Sequence, residues 1–285
     1  MPTDHVTADD GEVLRLRVTG DGPPILLLHE WAADGSVWAP IQDALGDGYR
    51  VYAWTARGHG GGGGGGGDAP SVRRMAADLR QVIGHFGLTR PVLLGHSMGA
   101  LTVWQYLALF GGDGLGGLCL VDQTPRIVTD QDWQLGVYGD FSAARNQAFL
   151  DSLAGDFAET VLRLIADGKN QRAKQLYQRN SPGIQRLRDR LARLDPVPLI
   201  AIWRSLGEAD YRPVLPRISL PTLLVYGTAS NYYGPLVADY VHSRIKGSVL
   251  RLYEDADHSP HLGQRERFLG DLRRWLETLP TAIPV

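Results

Sequence analysis

The sequence has a single cysteine, Cys119, which excludes an internal disulfide, and it has no cysteine and histidine cluster at zinc-ligand spacing. Lysine is scarce as well: only Lys169, Lys174 and Lys246 stand among 29 basic residues, an arginine excess that reads as composition bias and not as chemistry. No block of like charges occurs, and 29 basic against 31 acidic residues leave a formal net charge of -2. That balance excludes the electrostatic footprint of nucleic-acid binding or of a polybasic membrane patch. No apolar run approaches the roughly 18 residues that a membrane helix demands. The polar, acidic first twenty residues lack the basic and apolar regions of a secretory signal. These absences predict a cytoplasmic protein that contacts neither nucleic acid nor membrane.

What is present describes an ordinary globular chain. Its 285 residues are 44% hydrophobic and 21% charged, enough for one large domain or a core carrying an insertion. Short apolar runs bounded by turn residues recur at 25–28, 51–54, 92–94, 118–121, 222–226 and 249–253. They alternate with stretches of helical period, the pattern of a mostly parallel sheet flanked by helices. Residues Leu14 to Val18 alternate apolar and polar, which predicts an antiparallel edge strand. Val72, Met75, Leu79, Val82, Ile83 and Phe86 share one helical face, and so do Phe268, Leu272, Trp275 and Leu279.

The alternation stops after Val121 and resumes only at Thr222. The residues between carry helical apolar faces at 150–153, 161–165, 187–194 and 199–206, because a structureless connection of that length is improbable in a compact domain. We therefore expect a core formed by residues 1–123 and 217–285, interrupted by a helical lid over 124–216. The run of eight glycines from Gly60 to Gly67 reads as a flexible loop or as placeholder sequence, and no function is drawn from it.

One motif carries chemistry on its face. Gly95-His96-Ser97-Met98-Gly99 follows a predicted strand and opens a predicted helix, so G-x-S-x-G falls on a strand-to-helix turn. Such a bend projects a serine hydroxyl, small residues let backbone approach backbone, and the helix N-terminus offers N–H groups to an oxyanion.

At this point the sequence resembles the α/β-hydrolase superfamily over nearly its whole length apart from the lid. Besides the serine turn, Ile25-Leu-Leu-Leu-His29-Glu30-Trp31 is similar to that family's strand followed by H-G-aromatic. Ala56-Arg57-Gly58-His59-Gly60 is similar to its R-G-H-G turn, and Asp257-His258-Ser259-Pro260-His261-Leu262 to its histidine segment. The resemblance implies an α/β-hydrolase fold with Ser97 as nucleophile and an oxyanion hole of the Trp31 and Met98 N–H groups. Glu30 departs from the family's glycine.

A base for Ser97 must come from a histidine at the carboxyl end of a strand, where open parallel sheets place their sites. His85 and His242 lie in helical segments, His5 lies in the polar N-terminus, and His96 adjoins the serine with its side chain turned away. His29 ends a strand but is expected to hydrogen-bond within the oxyanion loop. His258 follows a strand late in the chain and is the base we expect.

The acid departs from the family pattern. Tyr226-Gly227-Thr228-Ala229-Ser230 puts a neutral serine where the family carries aspartate, and serine cannot stabilise an imidazolium as a carboxylate does. Asp122, directly after the run 118–121, resembles the position at which some haloalkane dehalogenases and lactone hydrolases of the superfamily carry their acid. We expect Asp122 as the third member, the bland alternative being a loop cap. Asp255 and Asp257 stand too close to His258 along the chain to orient it.

The expectation is a serine hydrolase cleaving a small-molecule carboxylic ester or lactone through an acyl-enzyme on Ser97, without metal or organic cofactor. Trp133, Tyr138, Trp203 and Tyr233 are expected to line its apolar pocket. The same residues would serve a thioesterase, a carbon–carbon bond hydrolase or a non-hydrolytic cyclase or lyase. A non-catalytic ligand-binding receptor shares the fold. No pattern in the sequence selects an oligomeric state.

Overall fold

The apolar runs become strands of one eight-stranded sheet in the computed structural model, which describes residues 3–60 and 67–280. In chain order these are β1 (Thr3–Thr7), β2 (Val13–Thr19), β3 (Pro24–Leu28), β4 (Arg50–Thr55), β5 (Val92–His96), β6 (Gly117–Val121), β7 (Thr222–Gly227) and β8 (Val249–Tyr253). The spatial order is β1-β2-β4-β3-β5-β6-β7-β8. Pairings from β4 through β8 are parallel, and β1 and β2 add antiparallel partners at one side.

One detail differs from expectation. The strand expected at the edge, β2, is internal, because β1 pairs along it from Thr3↔Arg17 to Thr7↔Val13. The segment TDHVT has too little apolar content to announce a strand; it buries Val6 and otherwise supplies backbone partners. Of the glycine run, residues 61–66 lie outside the described residues, while the Gly60 carbonyl accepts a hydrogen bond from Arg15 Nη1 at 2.8 Å.

Alternating strand residues feed two cores. Ile25 and Leu27 of β3 face α1 (Ala39–Leu45) and α11 (Arg265–Leu276), whose Ile41, Leu45, Phe268 and Leu272 are buried there. Leu26 and Leu28 face the opposite core, with α2 (Val72–His85), α3 (Met98–Phe110) and α9 (Pro235–Arg244). The face expected on α2 is the buried one: Val72, Met75, Leu79 and Val82 are all at most 3% exposed. α10 (Pro260–Gly263) is a single turn leading into α11.

Between β6 and β7 the chain forms α4 (Ala143–Gly155), α5 (Phe157–Ala166), α6 (Gln171–Gln178), α7 (Pro182–Leu191) and α8 (Pro196–Glu208). Capping side chains start each of them: Ser142, Asp156, Asn170, Ser181 and Asp195 accept from backbone N–H groups two or three residues on. α6 buries no residue, so no apolar stripe marked it in the sequence. α8 joins this helical layer to the core by packing on α2.

Candidate active site

The serine turn is built by close backbone approach. A Cβ on Gly99 would lie 2.2 Å from the Leu28 carbonyl oxygen, and one on Gly95 would lie 2.6 Å from the Gly99 backbone, so both positions of G-x-S-x-G require glycine. Ser97, between β5 and α3, has φ 53° and ψ −117°, a backbone geometry that costs about 1–3 kcal/mol and persists because its surroundings over-determine it. The Ser97 carbonyl accepts from Ala100 and Leu101, which ties the bend to the first turn of α3. Its hydroxyl has no hydrogen-bond partner among the described residues and opens on a cavity of about 730 Å³.

Asp122 stands one residue past β6, fully buried and with φ 43°, a left-handed geometry that aspartate tolerates better than most residues. Its Oδ2 accepts from Gly227 N–H at 2.9 Å, and its Oδ1 accepts from the Ser230 hydroxyl at 2.9 Å and faces His258 Nδ1 at 3.1 Å. A carboxylate only accepts, so Nδ1 carries the proton and Nε2 keeps its lone pair. Nε2 is buried without a partner, in the wall of the same cavity. Burial pushes the His258 pKa below the ordinary 6.5, against the opposing hydrogen bond that His258 donates to Asp122. The loop is held close to β7: a Cβ on Gly227 would lie 2.2 Å from the Asp257 carbonyl oxygen, and His258 N–H donates to Asn231 Oδ1 at 3.2 Å.

The loop after β3 is set by a histidine pair. His29 Nε2 accepts from Ala56 N–H at 3.0 Å, which leaves Nδ1–H to donate to the Glu30 carbonyl at 2.7 Å. No peptide here is cis, so anchoring the Glu30 carbonyl turns the Trp31 N–H to the opposite side of that peptide. Neither Trp31 N–H nor Met98 N–H has an acceptor among the described residues. The Trp31 indole N–H donates to the Leu199 carbonyl of α8 at 2.9 Å, and its ring sits 4.7 Å from that of Trp203. The R-G-H-G turn is structural: Arg57 is buried and binds Asp78 at 2.5 Å and Asp10 at 2.8 Å. His59 lies edge-on to His29, and burial, with help from His29, pushes its pKa down to about 3.

The structure thus brings Ser97, His258, Trp31, Trp203 and Tyr233 to one cavity, with Asp122 behind His258. Two expected pocket residues are elsewhere. Trp133 packs against Tyr240 and donates its indole N–H to the Arg126 carbonyl at 2.9 Å, so it fastens the chain leaving β6. Tyr138 turns its ring to Phe141 and Tyr232 and its hydroxyl to the Leu164 carbonyl, which uses up its polar end inside the helical layer. Instead Val161, Leu164, Ile165 and Leu187 of α5 and α7 supply apolar wall. Helical period marked them as buried, and nothing in it distinguished a cavity wall from a packed core. Glu30 and His96 also face the cavity and were not expected there. Among the described residues no cluster of histidine, cysteine and carboxylate side chains could hold a metal ion, and no helix is long and apolar enough to cross a membrane.

A mostly parallel sheet of this order, with a serine on the strand-to-helix bend and an aspartate–histidine pair from the loops after β6 and β8, defines the α/β-hydrolase class. The profile of the α/β hydrolase family matches residues 25–271, and the chain belongs to that family. It is 30% identical over 253 residues to the pimeloyl-[acyl-carrier protein] methyl ester esterase of Aeromonas hydrophila, covering 88% of this chain and 94% of that protein. Among solved structures it resembles an esterase from Exiguobacterium antarcticum (TM-score 0.81, 23% identity, 96% of this chain and 99% of that one). It also resembles the enol-lactonase from Burkholderia xenovorans (TM-score 0.75, 21% identity, 96% and 100% coverage).

Proposed function

We propose that the protein is a serine hydrolase that cleaves a small-molecule carboxylic ester or lactone through an acyl-enzyme on Ser97. The observation that carries this reading is the 3.1 Å contact of Asp122 Oδ1 with His258 Nδ1, which leaves Nε2 as a free base in a cavity shared with the Ser97 hydroxyl. Nε2 takes the serine proton as Oγ attacks the carbonyl carbon, and Asp122 stabilises the imidazolium that forms. The Trp31 and Met98 N–H groups, free of acceptors among the described residues, receive the oxyanion. His258 then returns the proton to the leaving alcohol, and a water, activated by the same nitrogen, releases the acid. Nucleophile, base, acid and oxyanion donors are all side chains or N–H groups of this chain, so the reaction calls for no metal or cofactor.

Residues 124–216 act as the lid in this reading, and Trp203, Tyr233 and the leucines and valine of α5 and α7 give an acyl chain apolar wall, beside Arg172 and Arg190, which also line the cavity. The relatives named as methyl ester esterases make a methyl ester of a linear acyl chain the first substrate to test. The test is a screen of the purified protein against esters, lactones and thioesters of graded chain length, with Ser97→Ala as the blank. Catalytic turnover of an ester or lactone that Ser97→Ala abolishes is the expected result. Stoichiometric binding without product would instead identify a receptor, and a product of unchanged mass a cyclase or lyase.

A further inference from the structure

His96 sits between Gly95 and the candidate nucleophile, and its ring is fully buried. Its Nδ1 faces Glu30 Oε2 at 3.1 Å and its Nε2 faces the His258 carbonyl oxygen at 2.8 Å. A backbone carbonyl only accepts, as does an ionised carboxylate, so with Glu30 charged each ring nitrogen must carry a proton. Glu30 replaces the glycine expected in its loop, and its side chain remains 24% exposed toward the cavity that holds Ser97. A bare carboxylate there, one residue from the Trp31 N–H, would oppose the negative charge that an ester carbonyl develops during attack.

We propose that His96 is a charged imidazolium paired with Glu30, and that this pair positions the Trp31 peptide and the His258 loop around Ser97 while cancelling the carboxylate's field. His96 and Glu30 are positioning residues and contact no reacting atom. The pair ties together the loop after β3, the end of β5 and the loop after β8. Glu30 and Asp122 favour this charge, and its cost falls on His258 and His261, whose proton affinity a charged His96 lowers. Glu30 approaches from the loop after β3, Asp122 contributes its charge from the end of β6, and His258 and His261 pack at ring distances of 4.7 and 4.4 Å. His261 is held neutral, since burial lowers its affinity for a proton and both its ring nitrogens lack partners. Burial opposes charge on His96 too, but the Glu30 hydrogen bond and charge outweigh it and raise its pKa. The same contact with His96 holds the Glu30 carboxyl well below its usual range despite burial.

The proposal rests on the serine-hydrolase reading only for its kinetic arm, and its spectroscopic arm stands alone. In ¹⁵N-histidine-labelled wild-type protein, the His96 signals are those absent from His96→Asn. Both His96 nitrogens should show the protonated signature at pH 7 and lose it only above the ordinary histidine value of 6.5. A neutral tautomer at pH 7 would overturn the proposal, even if Ser97 proves to be the nucleophile. Kinetically, His96→Asn strands the carboxylate and should lower kcat/KM on the order of 10²-fold, the scale of losing one oxyanion donor. Adding Glu30→Gln to it should recover about tenfold or more, because the uncompensated charge disappears while the side-chain shape is kept. A double variant no more active than His96→Asn would overturn the charge-cancelling role. If His96→Asn does not fold, Glu30→Gln alone decides: its His96 should titrate below the wild-type group, and an unchanged titration would refute the pairing.

Discussion

Replacing Asp122 by Asn should place the wrong proton on His258, and the structure dictates why. The carboxylate meets two kinds of neighbour: Gly227 N–H, which can only donate, at Oδ2, and Ser230 Oγ and His258 Nδ1 at Oδ1. An amide has one accepting end. Turning its oxygen to Gly227 preserves that bond at 2.9 Å and points its NH₂ at His258 Nδ1, while the reverse orientation sets two donors against each other on a buried site. The Gly227 N–H therefore locks the amide so that Nδ1 must accept, and the proton moves to Nε2, where the base is needed. The precedent for this tautomer change in serine proteases is a loss of about 10⁴ in kcat, which corresponds to roughly 5.5 kcal/mol in the barrier. Ser230→Ala removes one of three hydrogen bonds to the carboxylate, a cost of about 1.5–3 kcal/mol in stability, and should leave kcat within about tenfold. Turnover of an activated ester and thermal melting of both variants would check this. Equal, mild losses of kcat in two folded variants would refute the assignment of Asp122 as the acid.

Adding Ser230→Asp to Asp122→Asn should restore part of the lost rate, because position 230 already reaches within 2.9 Å of the oxygen that faces His258; a double variant no faster than Asp122→Asn would show that the two positions are not interchangeable. Trp203→Ala should lower stability by about 3–5 kcal/mol and shift selectivity toward bulkier acyl groups, measured as the ratio of kcat/KM for long and short esters. An unchanged ratio would remove Trp203 from the cavity wall. His59, whose folded pKa of about 3 lies below the ordinary 6.5, binds its proton only in the unfolded chain between those values. Stability should therefore fall as pH drops through that window and be flat above it for this group. Denaturant titrations should give a shallower slope for His59→Gln, and an identical slope would contradict its burial as a neutral ring.

Most strands and helices were legible because apolar runs and periodic faces are set by the cores they fill, as Leu26 and Leu27 do on opposite faces of β3. β1 was not legible, since an edge strand recruited by backbone pairing needs no apolar pattern, and α6, which buries nothing, left no stripe. At the site, Ser97 and His258 were marked by motif and chain position, and Asp122 by the serine standing at position 230. What the sequence did not disclose is that Ser230 still takes part, by donating to Asp122 Oδ1. Nor did it separate Trp203, on the cavity wall, from Trp133, whose indole is spent on a backbone carbonyl. Aromatic residues in a helical insertion look alike until tertiary packing decides which ring meets space and which meets another ring. The Glu30–His96 contact joins positions 66 residues apart and has no local signature at all.

The central claim, that Ser97 is an activated nucleophile, is tested most directly by labelling with a fluorophosphonate probe followed by peptide mapping. An unactivated hydroxyl reacts poorly with phosphorus, so the adduct reports the base as well as the serine. A single adduct on Ser97 is expected, absent in Ser97→Ala and strongly reduced in His258→Ala. Labelling at another serine with none at Ser97, or undiminished labelling of Ser97 in His258→Ala, would contradict it.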